Sequence, residues 1–152
     1  MTNGETRNHE LIVLMPVFND WGALLILLPR LERALNVAGL RAEVLIVDDG
    51  STVPVPPNLG PNSFLAVESV DVLSLRRNLG HQRAIAVGLS YIEANRPCRA
   101  VVVMDGDGED DPRDVPRLVS ECFANQGQKI IFAARTRRAE SLAFRFFTGF
   151  TD

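Results

Sequence analysis

The sequence predicts an α/β fold with a mostly parallel sheet and helices on both faces. Apolar stretches of five or six residues alternate along the chain with longer amphipathic stretches. The short stretches are rich in Val, Ile and Leu, as in strands that are buried on both faces. Their alternation with helices is typical of parallel sheets, because each crossover places a helix on one face. With 152 residues, of which 46% are hydrophobic, the chain has the size and composition of one globular domain.

The first predicted elements are a strand, a helix and a second strand. LIVLM at 11–15 is continuously apolar and predicts a buried strand. Asn19 or Asp20 can cap a helix that ends just before Gly39, which favours a helix stop. AEVLIV at 42–47 repeats the apolar pattern and predicts the second strand.

The middle of the chain predicts a loop, a strand, a turn and a helix. Residues 51–69 include four prolines and predict a loop with little regular structure. VDVLSL at 70–75 predicts the third strand, and RRNLG at 76–80 predicts a turn. Residues 81–95 have the apolar spacing of an amphipathic helix.

The last part predicts two strands with a helix between them. RAVVVM at 99–104 predicts the fourth strand. The helix is expected to begin near Asp111 or Asp114, since acids favour helix N-termini, and to end near Asn125. KIIFAA at 129–134 predicts a fifth strand.

The overall composition limits the classes of function. The folded domain is expected to span residues 11–152, after a disordered polar tail at 1–10. The longest aliphatic run, 23–28, has six residues and is too short to cross a bilayer. Two cysteines without CxxC spacing favour reduced thiols and a cytoplasmic location. A net charge of −3 argues against general nucleic-acid binding, which needs a basic face.

Polar residues follow three of the predicted strands. They are PVFND at 16–20, DDGS at 48–51 and DGD at 105–107. In a parallel sheet the carboxyl ends lie at one edge, and ligands bind there where the strand order reverses. If the first strand lies between the second and the fourth, all three segments face one crevice. That crevice is the predicted active site.

The segment after the first strand lacks the pattern of a dinucleotide site. A Rossmann site would place G-x-G-x-x-G there, whereas this chain has PVFND. An acidic residue at the start of the next helix is also a poor neighbour for phosphate. Phe18 and Asn19 suit packing against and hydrogen bonding to a base or ribose. The alternative is that they turn the chain and cap the helix.

VDDGST at 47–52 places two carboxylates and a glycine turn after a buried strand. Asp48 and Asp49 offer acceptors for the N–H groups of a base or the hydroxyl groups of a ribose. The alternative is a polar turn closed by an Asx hydrogen bond.

VVVMDGDGEDDP at 101–112 places five carboxylates directly after an apolar strand. Like charges this close repel, so the cluster predicts a cation. Asp105 and Asp107 can turn toward one cation, while Gly106 lets the backbone approach closely. Oxygen ligands favour Mg²⁺ or Mn²⁺, with diphosphate oxygens completing the shell. Glu109 can add a ligand or a contact through water.

The acidic segment has two other interpretations. An EF-hand loop needs glycine at its sixth position and glutamate at its twelfth, where this chain has Asp110 and Pro116. A solvated turn that caps the next helix would explain Asp110 and Asp111. It does not explain Asp105 and Asp107 at the end of the strand.

Five motifs in order resemble those of family 2 glycosyltransferases of the GT-A fold. The resemblance extends from residue 11 to about residue 150. It is closest to the branch that contains dolichyl- and polyprenyl-phosphate sugar transferases. The motifs are PVFND, VDDGS, RRNLGHQRAIAVGL, MDGDGEDDP and AARTRR.

The resemblance supports a set of residues that bind the nucleotide-diphosphate sugar. Phe18 replaces a more usual tyrosine and Asp20 a more usual glutamate, so the preferred nucleotide is left open. The turn at 76–80 also matches the family, which implies a role in donor binding. The alternative is that it is a simple turn with solvated arginines. The donor-binding set is Pro16, Phe18, Asp20, Asp48, Asp49, Asn78 and Asp105.

The resemblance also implies the metal ligands and the catalytic residues. Asp105 and Asp107 would form the DxD motif that binds Mg²⁺ or Mn²⁺. Glu109 stands where many relatives carry glutamine and would be a further ligand. Asp107 and Arg135 are the predicted catalytic residues, with Arg135 beside the diphosphate.

The predicted function is transfer of a sugar from a nucleotide-diphosphate sugar to an acceptor. The resemblance implies inversion, with a polyprenyl or dolichyl phosphate as the acceptor at the cytoplasmic face of a membrane. Family members continue into an acceptor-binding half, so a part beyond Asp152 is expected to be missing and to make any membrane contact. The alternative is a nucleotide-sugar-binding or regulatory domain without turnover. A phosphatase or receiver domain is disfavoured, because no nucleophile with a lysine partner is evident.

Overall fold

The computed structural model describes residues 9–59, 63–125 and 129–133. Its strands are β1 (His9–Val17), β2 (Ala42–Asp48), β3 (Val67–Ser74) and β4 (Cys98–Val103). Its helices are α1 (Trp21–Val37), α2 (His81–Asn95) and α3 (Val115–Ala124), with a short 3-10 helix, Pro112–Asp114, before α3.

The described strands form one parallel sheet in the order β3-β2-β1-β4. Val17 at the end of β1 aligns with Asp48 of β2, and Leu14 aligns with Val103 of β4. The carboxyl ends of β2 and β4 therefore flank the carboxyl end of β1. This topology confirms the predicted α/β class, and it meets the condition that the first strand lies between the second and the fourth.

Helices cover both faces of the sheet, and β1 shows why its sequence is continuously apolar. Leu11, Val13 and Met15 pack on the side of α1 and α3, whereas Ile12 and Leu14 pack on the side of α2. Successive residues of a strand point to opposite faces, so both sets face a core. All five side chains are at most 1% exposed.

Helix α1 begins and ends as its sequence predicts. Asp20 is the N-cap, and its Oδ1 accepts the N–H of Ala23 at 3.4 Å. The helix is continuous through Pro29, which is exposed, and Gly39 follows it with a φ of +66°. In the described ranges, neither α1 nor any other helix combines the length and the apolar character needed to cross a bilayer. The buried face of α1 consists of Trp21, Leu24, Leu27, Leu28, Leu31 and Leu35.

The predicted boundary between a disordered tail and the first strand is wrong. β1 already includes His9 and Glu10, which the sequence assigns to the tail. The backbone of His9 pairs with that of Cys98, and Glu10 Oε1 accepts a hydrogen bond from Arg99 Nη1 at 3.2 Å. Polar residues join the strand because β4 provides these partners. The rest of the predicted tail, residues 1–8, lies outside the described residues.

The predicted start of the third strand is also wrong. β3 begins at Val67, inside the segment that its prolines predict to be a loop. Glu32 of α1 accepts the N–H groups of Leu65, Ala66 and Val67 at 2.9, 3.0 and 2.8 Å. This carboxylate comes from a distant helix, so local sequence patterns do not reveal that it fixes the start of the strand.

The predicted fifth strand is wrong for the residues that the structure describes. Residues 129–133 lie in no strand, and Ala134 lies outside the described residues. Ile130 and Phe132 are 82% and 84% exposed. Strand propensity reflects packing against a neighbouring strand and a covering layer. Side chains this exposed have neither, so their apolar character alone does not produce a strand.

Candidate active site

A cleft of about 360 Å³ lies at the carboxyl edge of the sheet. It gathers residues from the end of β1, the start of α2 and the turn after β4. Two of the three segments predicted to face one crevice, those after the first and fourth strands, therefore share the cleft, whereas no residue of 48–51 lines it. The lining residues are Pro16, Val17, Phe18, Asp20, His81, Asp105, Gly106 and Asp107.

The loop after β1 is held by Asn19, a non-glycine residue with a φ of +60°. Its Oδ1 accepts the N–H groups of Thr52 and Val53 at 2.8 and 3.1 Å, and its own N–H donates to Ser51 Oγ at 2.9 Å. Trp21 Nε1 also donates to the carbonyl of Val53 at 3.1 Å. Asparagine tolerates this left-handed conformation better than most residues. Asn19 therefore ties the loop after β1 to the loop after β2, which supports its interpretation as a turn residue.

Phe18 and Asp20 stand on either side of Asn19, and both line the cleft. Phe18 is 49% exposed, so part of its ring is accessible to a planar group. One oxygen of Asp20 caps α1 through the N–H of Ala23. The structure places both residues where the sequence expects a nucleoside, and the nucleoside contact itself stays a prediction.

Asp48 is buried at the end of β2, with 6% of its surface exposed. Its Oδ1 accepts the N–H of Ser51 at 2.9 Å, which is the Asx hydrogen bond that the sequence left as an alternative. Asp48 is beside Val17 in the sheet register and is not one of the residues that line the cleft. Its contact with a nucleoside stays a prediction.

Asp49 is buried as well, with 3% of its surface exposed, and it holds the turn before α2. Its Oδ1 accepts the N–H of Leu79 at 2.7 Å, and its Oδ2 accepts the N–H of Gly80 at 2.9 Å. Asn78 lies in the same turn and is exposed. The predicted contacts of Asp49 and Asn78 with the sugar donor stay predictions. Both carboxylate oxygens of Asp49 already accept backbone N–H groups of the turn.

Gly106 brings the turn after β4 against the end of β1. A Cβ at this position would lie 2.8 Å from Val17 Cγ2 and 3.1 Å from the carbonyl oxygen of Pro16. A larger residue would push the turn away from β1, so Gly106 allows the turn to pack closely on this strand. The flanking residues Asp105 and Asp107 line the cleft as a consequence. The approach of the Gly106 backbone to a cation stays a prediction.

The acidic turn is organised by hydrogen bonds to its own backbone. Asp107 Oδ1 accepts the N–H of Glu109 at 2.9 Å, and Asp110 Oδ2 accepts the N–H of Asp105 at 3.1 Å. Of the five acidic residues, Asp105 and Asp107 line the cleft, and Glu109, Asp110 and Asp111 do not.

Asp111 belongs to a separate ion-pair cluster and confirms the helix-cap interpretation. It caps the 3-10 helix by accepting the backbone N–H of Arg113 at 3.0 Å. It also accepts the side-chain Nε–H of Arg113 at 2.9 Å. The side-chain hydrogen bonds from Arg113, followed by the backbone one, lower the pKa of Asp111 from 3.8 to about 2. The adjoining groove of about 690 Å³ runs between α1 and the 3-10 helix, away from the strand ends. The smaller cleft at the strand ends combines an aromatic ring, a histidine and carboxylates, so it is the candidate active site.

His81 is the candidate that sequence reasoning missed. The sequence indicates only a residue at the start of a helix, and His81 is indeed the first residue of α2. Its side chain also lines the cleft, where its Nε2 lies 3.3 Å from Asp105 Oδ1. The available signal was its position directly after the RRNLG turn. Its contact with Asp105 depends on how α2 packs against β1.

The predicted metal ligands do not form a preassembled cluster. Within 9–59, 63–125 and 129–133, no group of three or more His, Cys, Asp or Glu side chains is placed to hold a metal ion. Asp105 and Asp107 share the cleft, whereas Glu109 does not line it. Arg135, the other predicted catalytic residue, lies outside the described residues. Metal binding stays a prediction.

Comparison with known families identifies the family to which the chain belongs. Residues 12–146 match the family described as glycosyl transferase family 2. The chain belongs to glycosyltransferase family 2. This match includes every segment that lines the cleft, and it confirms the family that the five motifs resemble. The predicted enzyme class, glycosyltransferase, is confirmed at the level of the family.

Individual relatives of this family 2 chain support the polyprenyl-phosphate branch. A dodecaprenyl-phosphate galacturonate synthase from Rhizobium johnstonii is 31% identical over 144 residues, which are 95% of this chain and 41% of the relative. An undecaprenyl-phosphate 4-deoxy-4-formamido-L-arabinose transferase from Enterobacter sp. is 29% identical over 133 residues, which are 88% of this chain and 39% of the relative. The chain therefore spans less than half the length of these relatives.

Proposed function

We propose that this chain forms the donor-binding part of an inverting glycosyltransferase. It would move a sugar from a nucleotide-diphosphate sugar to a polyprenyl or dolichyl phosphate at the cytoplasmic face of a membrane. The cleft carries the proposal, because it joins Phe18 and Asp20 after β1 to Asp105 and Asp107 after β4. An aromatic ring beside a carboxylate suits a nucleoside, and paired carboxylates suit a cation that carries a diphosphate. Family membership and the names of the relatives support sugar transfer.

The nucleoside would bind at the β1 side of the cleft. The exposed ring of Phe18 would stack on the base, with Pro16 beside it and Asp20 accepting from the base or the ribose. Asp48 lies one strand away and already accepts one hydrogen bond from Ser51. A carboxylate accepts several hydrogen bonds, so Asp48 keeps acceptor capacity for the nucleoside.

The diphosphate end would bind together with Mg²⁺ or Mn²⁺, and the side chains of the turn fit such an ion. Dependence on a divalent metal is general in this family. Asp105 and Asp107 provide carboxylate oxygens in one cleft. Gly106 packs closely against β1 and so keeps the turn that carries both residues beside the cleft. Two carboxylates leave most of the shell to diphosphate oxygens and water, with Glu109 contributing through water. The bound ion would supply charge neutralisation for the departing diphosphate.

The transfer itself would be one displacement at the anomeric carbon of the sugar. An oxygen of the acceptor phosphate would form the new bond while the bond to the donor diphosphate breaks, and the nucleoside diphosphate would leave. A phosphate monoester has a second pKa of about 6, so its attacking oxygen is largely ionised and needs no general base. We propose that Arg135 stabilises the leaving diphosphate.

Calorimetric titration with UDP, GDP and CDP, with and without Mn²⁺, tests the proposal. Asp105 and Asp107 repel one another without a cation, so nucleotide and Mn²⁺ should each strengthen the binding of the other. Asp107→Asn should remove most of the Mn²⁺ dependence, whereas Asp48→Asn should weaken nucleotide binding without Mn²⁺ as well. Asp114→Asn, an exposed carboxylate outside the cleft, is the control.

Two results would contradict the proposal. Equal nucleotide affinity in chelator and in Mn²⁺ would remove the assignment of the cation site. The same loss, in the same measured quantity, for Asp107→Asn and Asp48→Asn would remove the division of roles between the two ends of the cleft.

A further inference from the structure

We propose that His81 is a positioning residue for Asp105, and that Asp49 sets the place of His81 by holding the turn before α2. The inference rests on the proposed function, because that function assigns Asp105 to the cation. It links two motifs that are far apart in the sequence. The buried DDG turn after β2 would determine the geometry of the acidic turn after β4, with His81 as the connection.

The contact between His81 and Asp105 is the first observation. His81 Nε2 lies 3.3 Å from Asp105 Oδ1, inside the cleft. The main chain of Asp105 is held separately, because its N–H donates to Asp110 Oδ2 at 3.1 Å. A carboxylate whose backbone and one oxygen are both held has few orientations left. Residues that orient a metal-binding carboxylate in this manner commonly change metal affinity by about 10–100-fold when they are lost.

The seat of the turn before α2 is the second observation. Both oxygens of the buried Asp49 accept backbone N–H groups, from Leu79 at 2.7 Å and from Gly80 at 2.9 Å. Gly50 has a φ of +73°, and a Cβ there would lie 2.5 Å from backbone atoms of residues 77 and 78. The backbone of the turn therefore packs directly against the backbone of the DDG segment, and this contact fixes its position. His81 is the next residue along the chain.

The packing of α2 on the sheet is the third observation. A Cβ at Gly88 would lie 2.6 Å from Leu14 Cδ1 and 2.8 Å from Val47 Cγ2. The helix backbone therefore lies as close to β1 and β2 as packing allows. Asp49 fixes where α2 starts and Gly88 fixes how near it lies, so together they determine where the His81 ring can reach.

Mn²⁺ titration monitored by electron paramagnetic resonance tests the inference, with and without UDP, GDP or CDP. His81→Ala should weaken Mn²⁺ binding about 10-fold, while nucleotide affinity in chelator stays unchanged. In His81→Gln the side-chain amide can take the place of the Nε2 contact with Asp105, so Mn²⁺ affinity should return to within about threefold of the original. Gln82→Ala, an exposed neighbour in the same helical turn, is the matched control and should bind as the original chain does.

A second pair of variants tests the link through Asp49. Asp49→Asn loses one backbone acceptor and should weaken Mn²⁺ binding in the same direction. Because both residues act through one path, Asp49→Asn combined with His81→Ala should bind Mn²⁺ no more weakly than His81→Ala alone. Circular dichroism establishes that each variant is folded. If Asp49→Asn fails to fold, the exposed His81 variants decide the inference by themselves.

The outcomes separate this inference from the proposed function. Mn²⁺-linked nucleotide binding by the original chain, together with unchanged Mn²⁺ affinity in His81→Ala, overturns the inference alone. A glutamine variant that binds no better than the alanine variant also overturns it. Absence of Mn²⁺-linked binding in the original chain overturns the proposed function and this inference with it.

Discussion

Replacing Asn19 by alanine should destabilise the fold, and the structure gives the size of the effect. The side chain holds the N–H groups of Thr52 and Val53 at 2.8 and 3.1 Å. These donors are exposed enough for water to replace part of the loss, so each hydrogen bond contributes about 0.5–1 kcal/mol. A φ of +60° adds about 1 kcal/mol, because alanine avoids the left-handed region more strongly than asparagine does. The expected decrease in the free energy of unfolding is about 2–3 kcal/mol.

Two further substitutions at Asn19 separate hydrogen bonding from strain. Asn19→Gly loses the same hydrogen bonds but accepts the positive φ, so it should be about 1 kcal/mol more stable than Asn19→Ala. Asn19→Asp keeps an oxygen acceptor and is the matched control, with an expected loss below about 1 kcal/mol.

Urea unfolding monitored by fluorescence measures these differences, because Trp21 is the single tryptophan and donates to Val53 in the same loop. The dependence of the free energy on urea should stay constant across the series. Equal stability of the alanine and glycine variants would refute the strain component. An alanine variant within about 0.5 kcal/mol of the original chain would refute the link between the two loops.

Two other predictions concern carboxylates outside the cleft. Glu32→Ala removes the acceptor of three backbone N–H groups and should lower the free energy of unfolding by about 2–3 kcal/mol. Hydrogen exchange at residues 65–67 should become faster. Unchanged exchange there would contradict the role of Glu32. The pKa of Asp111 is lowered from 3.8 to about 2 by Arg113, so its contribution to stability is present above about pH 4 and is lost as pH falls toward 2. As pH falls from about 4 to 2, the free energy of unfolding of Asp111→Asn should therefore decrease less than that of the original chain. An Asp111 titration midpoint near 4 in nuclear magnetic resonance would show that Arg113 does not lower the pKa of this carboxyl group.

The sequence by itself indicated a parallel sheet, the order of its first four strands along the chain and the edge at which the cleft lies. Strands buried on both faces have no polar alternation, so LIVLM and AEVLIV are recognisable from local composition. Parallel strands bring their carboxyl ends to one edge, so the segments at 16–20, 48–51 and 105–107 were predicted to meet. The first and the last line the cleft, and the second does not. These features depend on short-range patterns and on general rules of topology, which one sequence contains.

Only the tertiary structure decided what the polar side chains near that edge do. Asn19 and Asp49 have the residue types of ligands, yet their oxygens accept backbone N–H groups that lie about 30 residues away in the chain. His81 reaches Asp105 only because α2 packs on β1 and β2. Residues 129–133 lie in no strand, although their apolar character predicts one. A carboxylate or an amide acquires its role from the donors that folding brings to it, and the identities of those donors are not encoded in its own local sequence.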